Sequence, residues 1–222
     1  HFGKAADGSE TLENIFTKLH TGAKFDSSGK TGYNTSGGMN GVGAKATNAL
    51  SEIFEVESVR DGKCAKMTFK KGIRMKFSIE DTTKKTGTTI RFLPDKEIFK
   101  EGIELDYNSL RTQLQELAFL SPGLVFNFTY KDKPTEEITS KKGLLDYIEY
   151  INKGKNVLTS TFYTETMDDR IGVKIAMVYN DSYTDSYKLY TNPIPNSAGT
   201  HLTGFRTALT QSVNTYARAK GL

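Results

Sequence analysis

The sequence predicts an α+β protein with antiparallel strands, and a strand, a turn and a helix carry that prediction. Apolar and polar residues alternate strictly over residues 73–80, which is the period of a strand with one buried and one wet face. Residues 70–72 are typical of a turn, so we expect this strand to pair with residues 64–69 as a hairpin. Between residues 106 and 120 leucines recur at helical spacing, and the Ser-Pro-Gly of residues 121–123 ends that helix.

The remaining elements before residue 155 follow in chain order. A helix is compatible with residues 44–51, and an amphipathic helix is expected at residues 144–151, where basic residues and a glycine close it. Further strands are expected at residues 53–59, 88–93 and 124–130.

The pattern restarts after residue 155, where we place a domain boundary. Strands are predicted at residues 171–179 and 186–191, and a long helix follows them. The apolar positions of that helix are Leu202, Phe205, Leu209, Val213 and Tyr216. The predicted domains are therefore residues 1–155 and 156–222.

Composition narrows the class of protein. With 222 residues and 36% hydrophobic content, the chain is long enough to bury a sizeable core. A lone cysteine, Cys64, excludes an internal disulfide framework. No apolar run approaches the ~20 residues of a membrane span, and no signal-peptide pattern is present. We therefore expect a cytoplasmic protein without a membrane partner.

The charge pattern is mild. A net charge of +4 does not by itself identify a nucleic-acid binder. The basic residues of 63–85 alternate with apolar ones, which favours the solvated face of a sheet over contact with a phosphate backbone.

A glycine-dense loop, Ser36-Gly37-Gly38-Met39-Asn40-Gly41-Val42-Gly43, runs directly into the helix predicted from residue 44. Glycines permit positive φ and close approach of the backbone to a ligand. The first turn of a helix presents N–H groups and the positive end of its dipole. The junction therefore favours an anion such as a phosphate, although a surface loop that caps a helix is the plainer alternative.

Two common phosphate motifs fail on context. Residues 41–46 fit the dinucleotide fingerprint G-x-G-x-x-A, but the polar, glycine-rich residues 26–40 cannot form the apolar strand that must precede it. Residues 29–31 resemble the end of a P-loop, whose first glycine would have to stand at Lys24.

Several blocks together resemble the ATP-binding region of the gyrase B and topoisomerase IV B-type proteins. They occur in the family's order over nearly the whole chain. The blocks are residues 19–26, 36–43, 47–51, 85–92, 117–120 with Gly123, 190–192 and 199–206.

The resemblance implies a partial GHKL (Bergerat-type) ATPase sandwich, followed by the start of a ribosomal-protein-S5-like transducer domain. The parent would be a type II DNA topoisomerase that couples ATP-driven dimer closure to DNA strand passage, with ATP and Mg²⁺ as cofactors. DNA, an A-type subunit and a second copy of the ATPase region would be its partners. In the family the general-base Glu and the Mg²⁺-binding Asn lie upstream of the matched region, and a phosphate-binding Lys lies beyond it. We therefore expect a fragment without its own catalytic or metal-binding residues and with negligible ATP hydrolysis.

The resemblance also assigns site residues. Lys24 would approach the phosphates as a point charge, Tyr33 would contact the nucleotide, and Thr88 would support the water that binds adenine. A solvated lysine and a strand threonine facing a neighbour are the plainer alternatives. The backbone amides expected to wrap the triphosphate are those of Gly38, Asn40, Gly41, Val42 and Gly43.

Departures and alternatives remain. Asn40 stands where many related lids have His, which puts any side-chain role there in doubt. Arg206 would face the cavity that holds DNA, or else form a surface salt bridge. A non-catalytic scaffold or interaction module that keeps the fold without binding nucleotide is the alternative function. A chaperone-type or mismatch-repair ATPase is disfavoured by the block at residues 200–205.

Overall fold

The structure is a computed structural model that describes residue 3 and residues 10–21, 41–168 and 171–222. The chain divides into two compact units, His1–Glu104 and Leu105–Leu222. This division separates compact bodies. The predicted domain boundary after residue 155 concerns function and stays a prediction.

In its described residues the first unit contains two short helices and one antiparallel sheet, whose strand order is β3-β2-β1-β4. The elements are α1 (Thr11–Thr17), α2 (Gly43–Ala49), β1 (Ser51–Arg60), β2 (Lys63–Lys70), β3 (Ile73–Asp81) and β4 (Gly87–Pro94).

Two tight turns connect β1, β2 and β3. Asp61 and Gly62 have φ of 54° and 73°, and Lys71 and Gly72 have φ of 50° and 80°. Positive φ at both central residues defines the hairpin turn whose twist matches the flanking strands. The predicted hairpin is therefore confirmed, with Met67 of β2 opposite residue 77 of β3.

The core of the first unit lies between α1 and one face of the sheet. Phe16 of α1 packs against Phe54 of β1 with ring centroids 5.4 Å apart, and Phe54 meets Phe69 of β2 edge-on at 6.1 Å. Such tilted and edge-on pairs add to the free energy of burying the rings. The cluster comprises Leu12, Phe16, Phe54, Val56, Ala65, Met67 and Phe69.

The predicted buried face of β3 is wrong. Ile73 and Met75 are 69% and 59% exposed, and Phe77 is only half-buried against the core. The pairing shifts by one residue beyond Thr68, so that Arg74 stands opposite Phe69 and Met75 is the extra residue of a bulge. The shift turns Arg74 toward the helix-covered face, where its Nη1 lies 2.7 Å from Oε2 of a glutamate in α1, residue 13. The bulge and the edge position of β3 therefore leave its apolar residues uncovered.

The second unit holds further helices and three two-stranded antiparallel sheets in its described residues. The elements are α3 (Tyr107–Leu120), β5 (Val125–Phe128), β6 (Glu136–Thr139), α4 (Leu144–Ile151), β7 (Phe162–Asp168), β8 (Ile171–Met177), β9 (Leu189–Thr191), β10 (Ile194–Asn196) and α5 (Thr200–Lys220).

Local signals define α3 and the start of α4, and both predicted helices are confirmed. The carboxylate of Asp106 accepts a hydrogen bond from the Ser109 N–H at 2.7 Å, which caps α3. Gly143 precedes α4 with φ of 61°, and a Cβ there would lie 2.7 Å from Cγ of Pro122. Only glycine fits this close approach, which brings the start of α4 against the end of α3.

Buried aromatic and polar groups join α3, α4 and β9. The rings of Phe119 and Tyr147 stack with centroids 4.9 Å apart. The Tyr147 hydroxyl donates to Glu116 at 2.8 Å and lies 2.8 Å from the hydroxyl of Tyr190. Burial, with these two hydrogen bonds, raises the pKa of Tyr147. Lys188 completes the group through Nζ, 3.2 Å from Glu116.

The long helix α5 is confirmed, and it ends as a helix C-terminus prefers. Gly221 adopts the left-handed conformation after it, and Arg218 and Lys220 lie in its last turn. None of its residues is buried, and Val213 is 55% exposed.

Candidate functional site

The start of α2 has the geometry of an anion site. Gly41 has φ of 59°, and Val42 caps the helix without a side-chain hydrogen bond. The first intrahelical bond runs from the Ala46 N–H to the Val42 carbonyl at 2.8 Å. The N–H groups of Gly43, Ala44 and residue 45 therefore precede the helical hydrogen-bond ladder. A Cβ on Gly43 would meet nothing within 4 Å, so the backbone there faces open space.

Contacts at both ends of α2 fix its position. The Asn48 side chain is fully buried, and its Nδ2 donates to the Phe16 carbonyl at 3.0 Å, which ties α2 to α1. The Leu50 carbonyl accepts a hydrogen bond from the Asp95 N–H at 2.9 Å. The carboxylate of Asp95 accepts from the N–H of Glu97, and it lies 3.0 Å from Nζ of Lys71. These two contacts hold the pKa of Asp95 below its usual value.

A lysine on the inner face of α2 was not predicted. Lys45 is only 9% exposed, and its Nζ donates to the Thr21 carbonyl at 3.3 Å. Burial lowers the pKa of Lys45. One turn further on, Oδ1 of Asn48 is buried and finds no hydrogen-bond partner in the part of the chain that the structure describes. The only sequence signal was the three-residue spacing of these two polar residues in a helix of otherwise small side chains.

The structure brings together some of the predicted site residues. Gly41, Val42 and Gly43 lie side by side at the start of α2. Thr88 is exposed on β4 opposite Ser58. Ser58 is about 23 Å along the extended strand β1 from the residue where α2 joins the sheet. The other predicted site residues lie outside the described residues: Lys24, Tyr33, Gly38 and Asn40.

Three further observations concern partners and ligands. The guanidinium of Arg206 lies 4.8 Å from the ring centroid of Tyr187. Among the residues with described positions, no group of three or more His, Cys, Asp or Glu is placed to hold a metal ion. Within the same residues no helix is both long and apolar enough to cross a membrane.

Comparison with known sequences gives consistent matches. The family model of DNA gyrase B matches residues 143–222. The chain is 42% identical over 222 residues to the B-type protein of DNA topoisomerase 4 from Staphylococcus epidermidis, and the match covers 97% of this chain and 33% of that protein. It is 39% identical over 221 residues to the B-type protein of DNA gyrase from Streptococcus pneumoniae, with 97% and 34% covered.

Solved structures agree. The 43K ATPase domain of Thermus thermophilus gyrase B, solved with an aminocoumarin, matches with a TM-score of 0.78 and 28% identity, over 100% of this chain and 57% of that one. The ATP-binding domain of topoisomerase IV from Francisella tularensis, solved with a small-molecule inhibitor, matches with a TM-score of 0.74 and 25% identity, over 98% and 57%.

The fold is therefore that of the GHKL ATPase region of these B-type proteins, and the predicted fold class is confirmed. The chain belongs to the family of the gyrase B and topoisomerase IV B-type proteins, as its sequence blocks indicated. It spans about a third of the length of the curated relatives that it matches.

Proposed function

We propose that this chain is the lid-bearing part of the ATP-binding region of a type II DNA topoisomerase. In that role, ATP binding and hydrolysis would drive dimer closure and DNA strand passage. The observation that carries the proposal is the start of α2, where positive φ at Gly41 and open space beside Gly43 accompany N–H groups ahead of the helical ladder. Clustered backbone donors of this kind bind phosphate groups.

The residue roles follow from this geometry and from the family. The amides of Gly41, Val42 and Gly43 hold the triphosphate, and those of Gly38 and Asn40 extend the same cradle.

Outside the cradle, Lys24 approaches the phosphates as a point charge, Tyr33 contacts the nucleotide, and Thr88 supports the water at the adenine. The exposed position of Thr88 on β4 leaves its hydroxyl free to meet a solvent molecule.

The residues present fit the triphosphate better than they fit a magnesium ion. Anions match the donors at the start of α2, whereas the described residues offer no cluster of metal ligands. Mg²⁺, when bound with ATP, would neutralise charge on the phosphates. The sequence also contains no Asp-x-Gly-x-Gly motif. We therefore expect the 222 residues alone to hydrolyse ATP negligibly, and steady turnover by the purified chain would refute this.

The wider assembly is proposed from family membership. DNA, an A-type subunit and a second copy of the ATPase region are the expected partners, and the cytoplasm is the expected location. DNA-dependent stimulation of ATP hydrolysis by the full-length gene product would test the coupling.

Binding of a non-hydrolysable ATP analogue with Mg²⁺, measured by calorimetry, tests the central proposal. The 222-residue chain and the full-length gene product are titrated side by side. We expect the full-length protein to bind, and binding by that protein alone would indicate that the pocket needs residues beyond this chain. If neither protein binds, the scaffold alternative replaces ATP binding.

A further inference from the structure

The Lys45 ammonium is a buried cation without a counter-charge. Its carbonyl partner at Thr21 is 3.3 Å away, and no ion pair joins it to a carboxylate among the described residues. An ammonium can donate three hydrogen bonds, so its donor capacity is largely unused. Burying an unpaired charge is unfavourable, and the lowered pKa of Lys45 reflects that cost. An anion is the partner that would remove the cost.

The space beside Lys45 is polar. Oδ1 of Asn48 is buried on the same helix face, three residues on, and also lacks a partner within the described residues. Two under-used polar groups on one face distinguish this space from sealed apolar packing.

The ammonium also lies next to the glycine-rich loop. Thr21, whose carbonyl it contacts, is the last described residue before that loop, and Gly41 is the first described residue after it. Helical side chains lean toward the helix N-terminus, which carries the Lys45 stem toward the anion site. Its own N–H is one of those ahead of the helical ladder.

We propose that Lys45 is a further phosphate-binding residue, whose ammonium pairs with a phosphate oxygen of the bound nucleotide. The inference rests on the proposed ATP-binding function. It adds a second cation to Lys24, held on a helix that the core positions. In the ligand-free protein the carbonyl of Thr21 holds the ammonium in place until the phosphate arrives.

The plainer alternative is that Lys45 only tethers the end of α1 to α2. The two roles predict opposite behaviour when the charge is removed. A tether stabilises the ligand-free protein, so its loss lowers the melting temperature and leaves affinity unchanged. A phosphate ligand buried without a counter-charge does the reverse.

The test compares Lys45→Met with Lys100→Met in the full-length gene product. Lys100 is an exposed lysine of the same unit and serves as the matched control. Calorimetry gives the affinity for the non-hydrolysable ATP analogue with Mg²⁺, and thermal unfolding without ligand gives the melting temperature. We expect Lys45→Met to bind at least about tenfold more weakly, since a charge-assisted contact is lost. Its ligand-free melting temperature should not fall, and Lys100→Met should match the wild type in both measurements.

The outcomes separate the two proposals. Unchanged affinity in Lys45→Met would overturn the role of Lys45 and leave ATP binding standing. A wild-type protein that does not bind the analogue would overturn both. Lys45→Gln and Lys45→Arg guard against misfolding of the methionine variant. Arginine should restore most of the affinity, and weak binding by all three variants with lowered melting temperatures would assign Lys45 to the tether.

Discussion

Replacing Gly43 by alanine tests whether the open space at the start of α2 receives a phosphate. The added Cβ would contact nothing within 4 Å in the ligand-free protein, and Gly43 does not have the positive φ that would strain alanine. Alanine is also the better helix former. The substitution should therefore be tolerated by the fold and should act only on what enters that space.

The structure sets the size of both effects. Gly→Ala in a helix contributes up to about 1 kcal/mol, and less at a first helical position. For a compact unit of this size that corresponds to a rise of up to about 4–8 °C in melting temperature. A phosphate that accepts backbone hydrogen bonds must bring its oxygens to about 2.9 Å from the amide nitrogens. A methyl group in its path should weaken binding at least tenfold, or about 1.4 kcal/mol.

Gly204→Ala in α5 is the matched control. Gly204 is also helical, and a Cβ there would likewise meet nothing within 4 Å. Both variants should melt no lower than the wild type, and only Gly43→Ala should lose affinity for the non-hydrolysable ATP analogue in calorimetry. Wild-type affinity in Gly43→Ala would refute the phosphate cradle at α2. A lowered melting temperature in that variant would refute the open space itself.

Three further predictions concern stability, each measured by thermal or denaturant unfolding of the chain. Gly143→Ala should destabilise by more than Gly154→Ala, because both have positive φ but only the first places its Cβ against a proline ring, so equal losses would contradict the close approach. The pKa of Asp95 is lowered on folding, so the stability it contributes is present above its ordinary pKa of 3.8 and is lost as the pH falls through its lower folded value. Asp95→Asn should therefore flatten the acid limb of the stability curve, and an unchanged limb would rule out this contribution. Tyr147→Phe should cost about 1–2 kcal/mol, and Tyr190→Phe should cost less because the Tyr147 hydroxyl keeps its carboxylate partner.

Features fixed by neighbouring residues could be predicted from the sequence. The turn at Lys71-Gly72 and the cap at Asp106 depend on side chains or φ angles within a few residues, so the hairpin and α3 were both predicted. The buried face of β3 depends on a bulge at Met75 and on which strand edge α1 covers. Alternation of residue types records which residues could be buried, and only the tertiary neighbours decide whether they are.

The same distinction explains why the glycines of the candidate site were found and Lys45 was missed. Gly41 and Gly43 declare their role through backbone freedom, which is a property of the residue type. A lysine in an otherwise small-residue helix reads as solvated surface, because most lysines are. What makes Lys45 unusual is a contact across 24 residues, between its Nζ and the Thr21 carbonyl. Small neighbours on α2 allow the helix to pack closely, as the 3.3 Å approach of a Gly72 Cβ to the Ala49 Cα indicates. Close packing of α2 is what converts an ordinary lysine into a buried charge, and a buried charge is the feature that requires an anionic partner.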